Sequence, residues 1–119
     1  MTMKGKINFG DVVWVEFDPS VGHEYQGKRP AIVVQSNKQL VKSNLVTIIP
    51  LTSKMDNFIS DDILIEANGE NNLMTNSIAK VYCLTSFDYS RFKKVIGKID
   101  KEAIIKIKNY LKKHLDITS

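Results

Sequence analysis

The chain alternates apolar and polar residues in its first half and switches to a longer apolar period at its end. In Val12–Phe17, Val13, Val15 and Phe17 alternate with Val12, Trp14 and Glu16, the period of a strand with one face more buried than the other. Pro30 opens a β-branched run, Ala31–Gln35; Ser36–Asn44 is polar; Leu45–Ile49 reads as a third strand closed by Pro50. Proline cannot donate to a ladder, so both prolines are expected at strand ends or edges. Ile63–Glu66, Ser77–Leu84 and Lys94–Ile99 are further short strands, with a turn at Asn68–Asn72 and a short turn or helix at Asp88–Arg91. From Asp100, a plausible N-cap with Glu102 in the first turn, Ile104, Ile107, Leu111 and Leu115 recur every three to four residues. That stripe predicts a C-terminal helix packed on the sheet, with Lys101, Lys108 and Lys112 facing solvent.

Strands followed by one helix predict an α+β fold that is mainly β: a strongly twisted antiparallel sheet or SH3-like barrel carrying a C-terminal helix. The 119 residues suit one domain, 1–119. The apolar runs, about seven residues at most, are far short of the roughly 20 that span a bilayer, and Met1–Lys6 is too polar for a signal peptide. No membrane association and a cytoplasmic location are expected.

Charge changes this picture by its placement. Residues 91–119 hold nine basic and three acidic side chains, so this segment is +6 and residues 1–90 are −2 of the total +4. A basic end suits RNA or an acidic protein partner; the ordinary alternative is a solvated helix face. Cys83 is the only cysteine and His23 and His114 the only histidines, so no multi-cysteine metal site or disulfide is expected, and no cofactor is implied. Cys83, in an apolar run, reads as a small buried side chain rather than a nucleophile.

Two long connections concentrate chemistry. Ser20–Arg29 contains Gly22, His23, Glu24, Gln26, Lys28 and Arg29; Thr52–Asp61 begins Thr52-Ser53-Lys54. Of 17 basic residues only Arg29 and Arg91 are arginine, whose planar fork suits bidentate phosphate recognition. A salt bridge to Glu16, Asp18 or Glu24 is the other reading of Arg29, and turn capping that of Thr52 and Ser53.

The stretches Gly10-Asp11-Val12-Val13-Trp14-Val15-Glu16-Phe17-Asp18-Pro19, Gly22-His23-Glu24 through Arg29-Pro30-Ala31-Ile32-Val33-Val34, and Pro50-Leu51-Thr52-Ser53 together resemble the MazF/PemK family of bacterial toxin endoribonucleases. The similarity is strong over residues 8–54 and collinear, though weaker, through Asp88 and the helix. The resemblance implies a homodimeric, metal-independent toxin of a type II toxin–antitoxin pair with the MazF/CcdB-like fold. It implies cleavage of single-stranded RNA at short motifs, leaving a 2′,3′-cyclic phosphate and a 5′-hydroxyl, and capture by an antitoxin with an acidic, partly disordered tail. The matching positions are Arg29 and Thr52 for catalysis with His23 and Glu24, either of which is open as the base. Gly22, Gln26, Lys28, Ser53 and Lys54 are expected to contact substrate, with Lys80 and Tyr82.

The chain departs from the family where many relatives place a basic residue, then an acid and a glutamine, then Arg-Thr-Ile-Asp. Here Tyr82 stands for the acid and Thr85 for the arginine, while Lys80 keeps a cation. Tyr82 suits stacking on a base or ordinary packing in the sheet. Two rival readings follow: a gyrase-poisoning toxin similar to CcdB, and a catalytically silent RNA-binding relative.

Overall fold

The computed structural model describes residues 3–17, 27–55 and 58–118. Seven strands and two helices follow the order β1 (Asp11–Glu16), β2 (Lys28–Val33), α1 (Asn37–Lys42), β3 (Leu45–Thr52), β4 (Ile63–Ile65), β5 (Ser77–Ala79), β6 (Thr85–Asp88), β7 (Phe92–Lys98) and α2 (Lys101–His114). The sheet runs β4-β5-β3-β2-β1-β7, with β6 also paired to β3. Every pairing is antiparallel. The α+β, mainly β architecture and the C-terminal helix are as expected.

Strand alternation divides the core in two. Val13, Val15, Ala31, Val33, Val46 and Ile48 point to one side, where Leu40 of α1, Tyr89 and Phe92 cover them. Val12, Ile32, Ile49 and Leu51 point to the other, under Ile107 of α2. The central residues of β1–β3 are therefore covered on both faces, which explains their near-continuous apolar runs. Asp100 caps α2 by accepting from the Ala103 N–H at 2.9 Å. Ile107 is buried and Ile104 and Leu111 are half-buried, but Leu115 lies past the last helical residue and is half exposed. The expected stripe is thus one residue too long.

The motif residue Gly10 is structural. Its φ of 88° is a left-handed conformation that favours glycine, and a Cβ there would lie 3.3 Å from Ile104 of α2. The neighbouring Asp11 accepts from the Asn8 N–H at 2.8 Å. Burial pushes the Asp11 carboxyl up, partly offset by that hydrogen bond and by Lys98.

Four expectations are corrected. Ser36–Asn44 is not simply polar chain: Ser36 caps α1, which buries only Leu40. Six residues with one buried side chain give no helical period to read. Ser77–Leu84 is not one strand, because β5 pairs with Leu51–Thr52 and β6 with Leu45–Ile48, and a 3₁₀ turn at Val81–Cys83 connects these two pairings along β3. Cys83 in that turn is half-buried. Finally, neither proline bounds its strand: Pro30 is the third residue of β2, and Pro50 is followed in β3 by Leu51 and Thr52.

Candidate functional site

The prolines have a consequence one level up. The β2–β3 ladder runs Val33↔Ile48, Ile32↔Ile49 and Ala31↔Pro50 and stops there. Pro30 is the next residue outward on β2, and neither it nor Pro50 has an N–H to extend the ladder. Lys28–Pro30 remain paired to β1, through Trp14↔Pro30, Val15↔Arg29 and Glu16↔Lys28. Leu51 and Thr52 pair instead with β5. Continuing the register by two residues would set Arg29 across from Thr52, so the two motif segments face each other where the ladder ends.

A cleft of about 730 Å³ occupies this position. Lys28, Arg29, Pro30, Leu51 and Ser53 form one part of it; Trp14 on β1 and Lys94 on β7 lie along the adjacent rung, Trp14↔Lys94. Among the described residues, its charged lining is three cations, Lys28, Arg29 and Lys94, and no carboxylate. A further wall is Asn72–Thr75, in which Met74 is 92% exposed.

That wall is built by asparagine. Asn68 Oδ1 accepts the Glu70 and Asn71 N–H groups at 2.9 Å, and Asn71 Oδ1 accepts those of Asn68 and Leu73 at 3.1 and 3.0 Å. Asn72, at φ 55°, sends its amide to the Ile96 carbonyl at 2.6 Å. The Lys98 N–H donates to the Glu70 carbonyl at 3.0 Å, and a Cβ on Gly97 would come within 2.3 Å of that carbonyl oxygen. Only glycine lets β7 approach the turn this closely.

Arg29 is half-buried and Lys28 exposed, both in the cleft. Thr52 is nearly buried; its Oγ1 accepts the Lys54 N–H at 3.2 Å, the turn contact expected as the ordinary use of such a residue, and it is Leu51 and Ser53 beside it that line the cleft. Lys54 is exposed. Gly22, His23, Glu24 and Gln26 lie outside the described residues. Lys80 lies outside the Arg29 cleft: it is 3% exposed and its Nζ lies 2.5 Å from Asp62 Oδ2. A lysine buried to this depth needs a partner, so it cannot serve as a free cation for RNA. Tyr82 is exposed, but beside Lys80, with 5.7 Å between ring centre and Nζ, and outside the Arg29 cleft. Arg91, the other arginine, donates to the Glu16 carbonyl at 3.2 Å and lies 5.5 Å from the Phe87 ring centre, holding the end of β1.

Trp14, Lys94 and Asn72–Thr75 escaped the sequence reading. Trp14 did leave a signal, as a large aromatic on the less apolar phase of β1. Lys94 left none, because its place depends on the β1–β7 register and its bulges.

The toxin signature "PemK-like, MazF-like toxin of type II toxin-antitoxin system" matches residues 8–115. The chain belongs to the PemK/MazF family. Endoribonuclease MazF9 of Mycobacterium tuberculosis is 25% identical over 115 residues, covering 92% of this chain and 97% of that protein. Among solved structures, MazF from Deinococcus radiodurans superposes with a TM-score of 0.80 at 22% identity, over 93% of this chain and 97% of the other. A mycobacterial endoribonuclease in complex with its cognate antitoxin gives 0.70 at 14% identity, over 95% and 96%. These structures share the fold of this PemK/MazF chain across nearly its whole length.

A second cleft, of about 420 Å³, lies between β4 and α2 and has the opposite sign: Asp62, Glu66, Asp100 and Glu102 line it with a single cation, Lys106. Among the described residues, no group of three or more His, Cys, Asp or Glu side chains is placed to hold a metal ion. No helix of the described residues is long and apolar enough to cross a membrane.

Proposed function

We propose that this PemK/MazF chain is a toxin endoribonuclease that cleaves single-stranded RNA at a short motif by attack of the ribose 2′-hydroxyl. The observation that carries the reading is the cleft at the end of the β2–β3 ladder. Among the described residues it is lined by Lys28, Arg29 and Lys94 and by Trp14, so cation and aromatic ring stand together as suits single-stranded nucleic acid. The reaction needs a base for the 2′-hydroxyl, charge stabilisation of the pentavalent phosphorane and help for the leaving 5′-oxygen. RNA supplies its own nucleophile, so no metal is needed to generate one, and DNA resists.

Arg29 is assigned to the phosphorane and the leaving oxygen by electrostatic stabilisation, since a guanidinium gives up its proton poorly. The Thr52 hydroxyl accepts from Lys54 and so keeps its own hydrogen for a non-bridging oxygen. Glu24 or His23 takes the 2′-hydroxyl proton; imidazole has the suitable ordinary pKa, near 6.5, whereas a carboxyl would need its value raised. Ser53 and Lys28 contact the substrate backbone. The whole of residues 1–119 acts as one cytoplasmic domain and pairs with a second copy. An antitoxin with an acidic tail covers the cleft, where its carboxylates would meet the same three cations.

Incubation with a long RNA in EDTA tests this. The expected result is discrete fragments ending in 2′,3′-cyclic phosphate; intact RNA together with inhibited gyrase would replace the nuclease by a CcdB-like poison.

A further inference from the structure

We propose that the buried Lys80–Asp62 ion pair is the positioning device that holds Thr52 in register behind the cleft, a role that rests on the nuclease reading. Leu51, Ala79 and Ile63 form one rung across β3, β5 and β4. Lys80 is the residue just after β5 and Asp62 the residue just before β4, so their side chains clip the two strands together one step beyond that rung. The Lys80 backbone N–H donates to the Pro50 carbonyl at 3.1 Å, and Ile78 pairs with Thr52. Thr52 and the two residues before it are thus held by the strand that the pair fixes.

Asp62 also organises the chain leading into β4. Its Oδ2 accepts the Ile59 N–H at 2.9 Å, and its own N–H donates to the Ile59 carbonyl at 3.0 Å. The segment that begins with Thr52-Ser53-Lys54 therefore ends on the carboxylate that grips Lys80. Burial alone would lower the Lys80 pKa, but the hydrogen bond and charge of Asp62, with a smaller contribution from Tyr82, outweigh it and the net direction is upward. Lys80 therefore keeps its charge across the range in which RNA is handled.

Stability is a poor reason for such a pair. Two desolvated charges are matched or beaten by apolar side chains of the same volume, although removing only one partner is severe. An ion pair differs from an apolar contact in direction and length: apolar strands can slide over one another, while Nζ and Oδ2 meet at one register. Catalysis rewards that, because a misplacement of about 1 Å in a reacting group can cost 10²-fold in rate.

The decisive variant replaces both partners, Lys80→Met with Asp62→Leu, leaving no orphaned charge. We expect thermal stability near that of the unaltered protein and unchanged binding of a 2′-deoxy oligonucleotide that cannot be cut, within about twofold. Single-turnover cleavage of the matching RNA should fall by about tenfold or more. Recovery of cleavage along with stability would overturn the proposal. Should the double variant not fold, Asp62→Asn, which keeps the shape and an acceptor for Lys80 but removes the charge, must slow cleavage without weakening binding at a temperature where circular dichroism shows it folded; an unchanged rate would overturn it equally. If the unaltered protein leaves RNA intact, the nuclease reading fails by itself. The positional claim is then decided by the NMR shifts and amide exchange of Leu51 and Thr52, which must change in the double variant and would contradict the claim by staying fixed.

Discussion

The cleft beside Arg29 and the cleft beneath α2 share one turn and one sheet, yet their chemistry is opposite. Asn72–Thr75 wall the first and Asn68 and Asn71 line the second, so consecutive residues of a single turn serve both. Among the described residues, the first collects three cations from β2 and β7; the second collects Glu66, Asp100 and Glu102 with Lys106, beside Asp62, which is paired to Lys80. Neither follows from the charge of its stretch of sequence. Arg29 belongs to residues 1–90, which are net negative, while Asp100 and Glu102 belong to the strongly positive C-terminal end. A bound polyanion senses what lies within about a Debye length, roughly 8 Å at physiological ionic strength, and register decides what is gathered there.

The comparison breaks first at Arg29. Arg29→Ala should lower the single-turnover rate of RNA cleavage by about 10²- to 10³-fold, the usual cost of removing one charge-stabilising donor from a reacting centre. The fold should persist, because the β2–β3 rungs run from Ala31 to Val33 and the core side chains are untouched. Circular dichroism melts beside the rate measurement check both halves, and cleavage at the unaltered rate would remove Arg29 from the chemistry.

The shared turn is the next place to press. Gly97→Ala puts a methyl group within 2.3 Å of the Glu70 carbonyl oxygen and 2.6 Å of Asn71 backbone atoms, where backbone rather than a flexible side chain must yield. A destabilisation of about 1 to 3 kcal/mol is expected from such overpacking. Because the turn walls both clefts, loss of stability should be accompanied by weaker RNA binding; a denaturant midpoint and an RNA titration measure the two.

How far the sequence foretold this arrangement depends on the range over which each feature is set. Local pattern was enough for β1, for the Asn68–Asn72 turn and for α2 with its Asp100 cap, because alternation, turn chemistry and capping act within a few residues. It failed at α1, too short to show a period, and at Pro30 and Pro50, whose end-of-strand rule applies to one ladder while each strand continued along another. Arg29, Lys28 and Ser53 were named from their motif, and all three line the cationic cleft. Lys80 was not: the same cation read as substrate-facing is buried against Asp62, 18 positions earlier in the chain. Nothing near Lys80 in sequence announces that partner. Trp14 was visible and passed over, and Lys94 became meaningful only through its rung with Trp14.

The smallest effect sharpens the contrast most, since it changes charge in each cleft without touching the proposed chemistry. Lys28→Ala and Lys94→Ala remove lining cations from exposed positions on β2 and β7. If each meets one phosphate of a single strand, each substitution should reduce the slope of log K against log salt by about 0.7 and weaken binding at low salt more than at high salt. Glu66→Gln and Glu102→Gln, in the other cleft, remove exposed carboxylates that no bound RNA would contact. They should leave the slope unchanged, with at most a slight gain in affinity at low salt from reduced long-range repulsion. Trp14 is the only tryptophan and lines the cationic cleft, so its fluorescence reports the titration from within the site. Equal slopes for all four variants would mean that RNA responds to the total charge of the protein, and the distinction between the clefts would collapse.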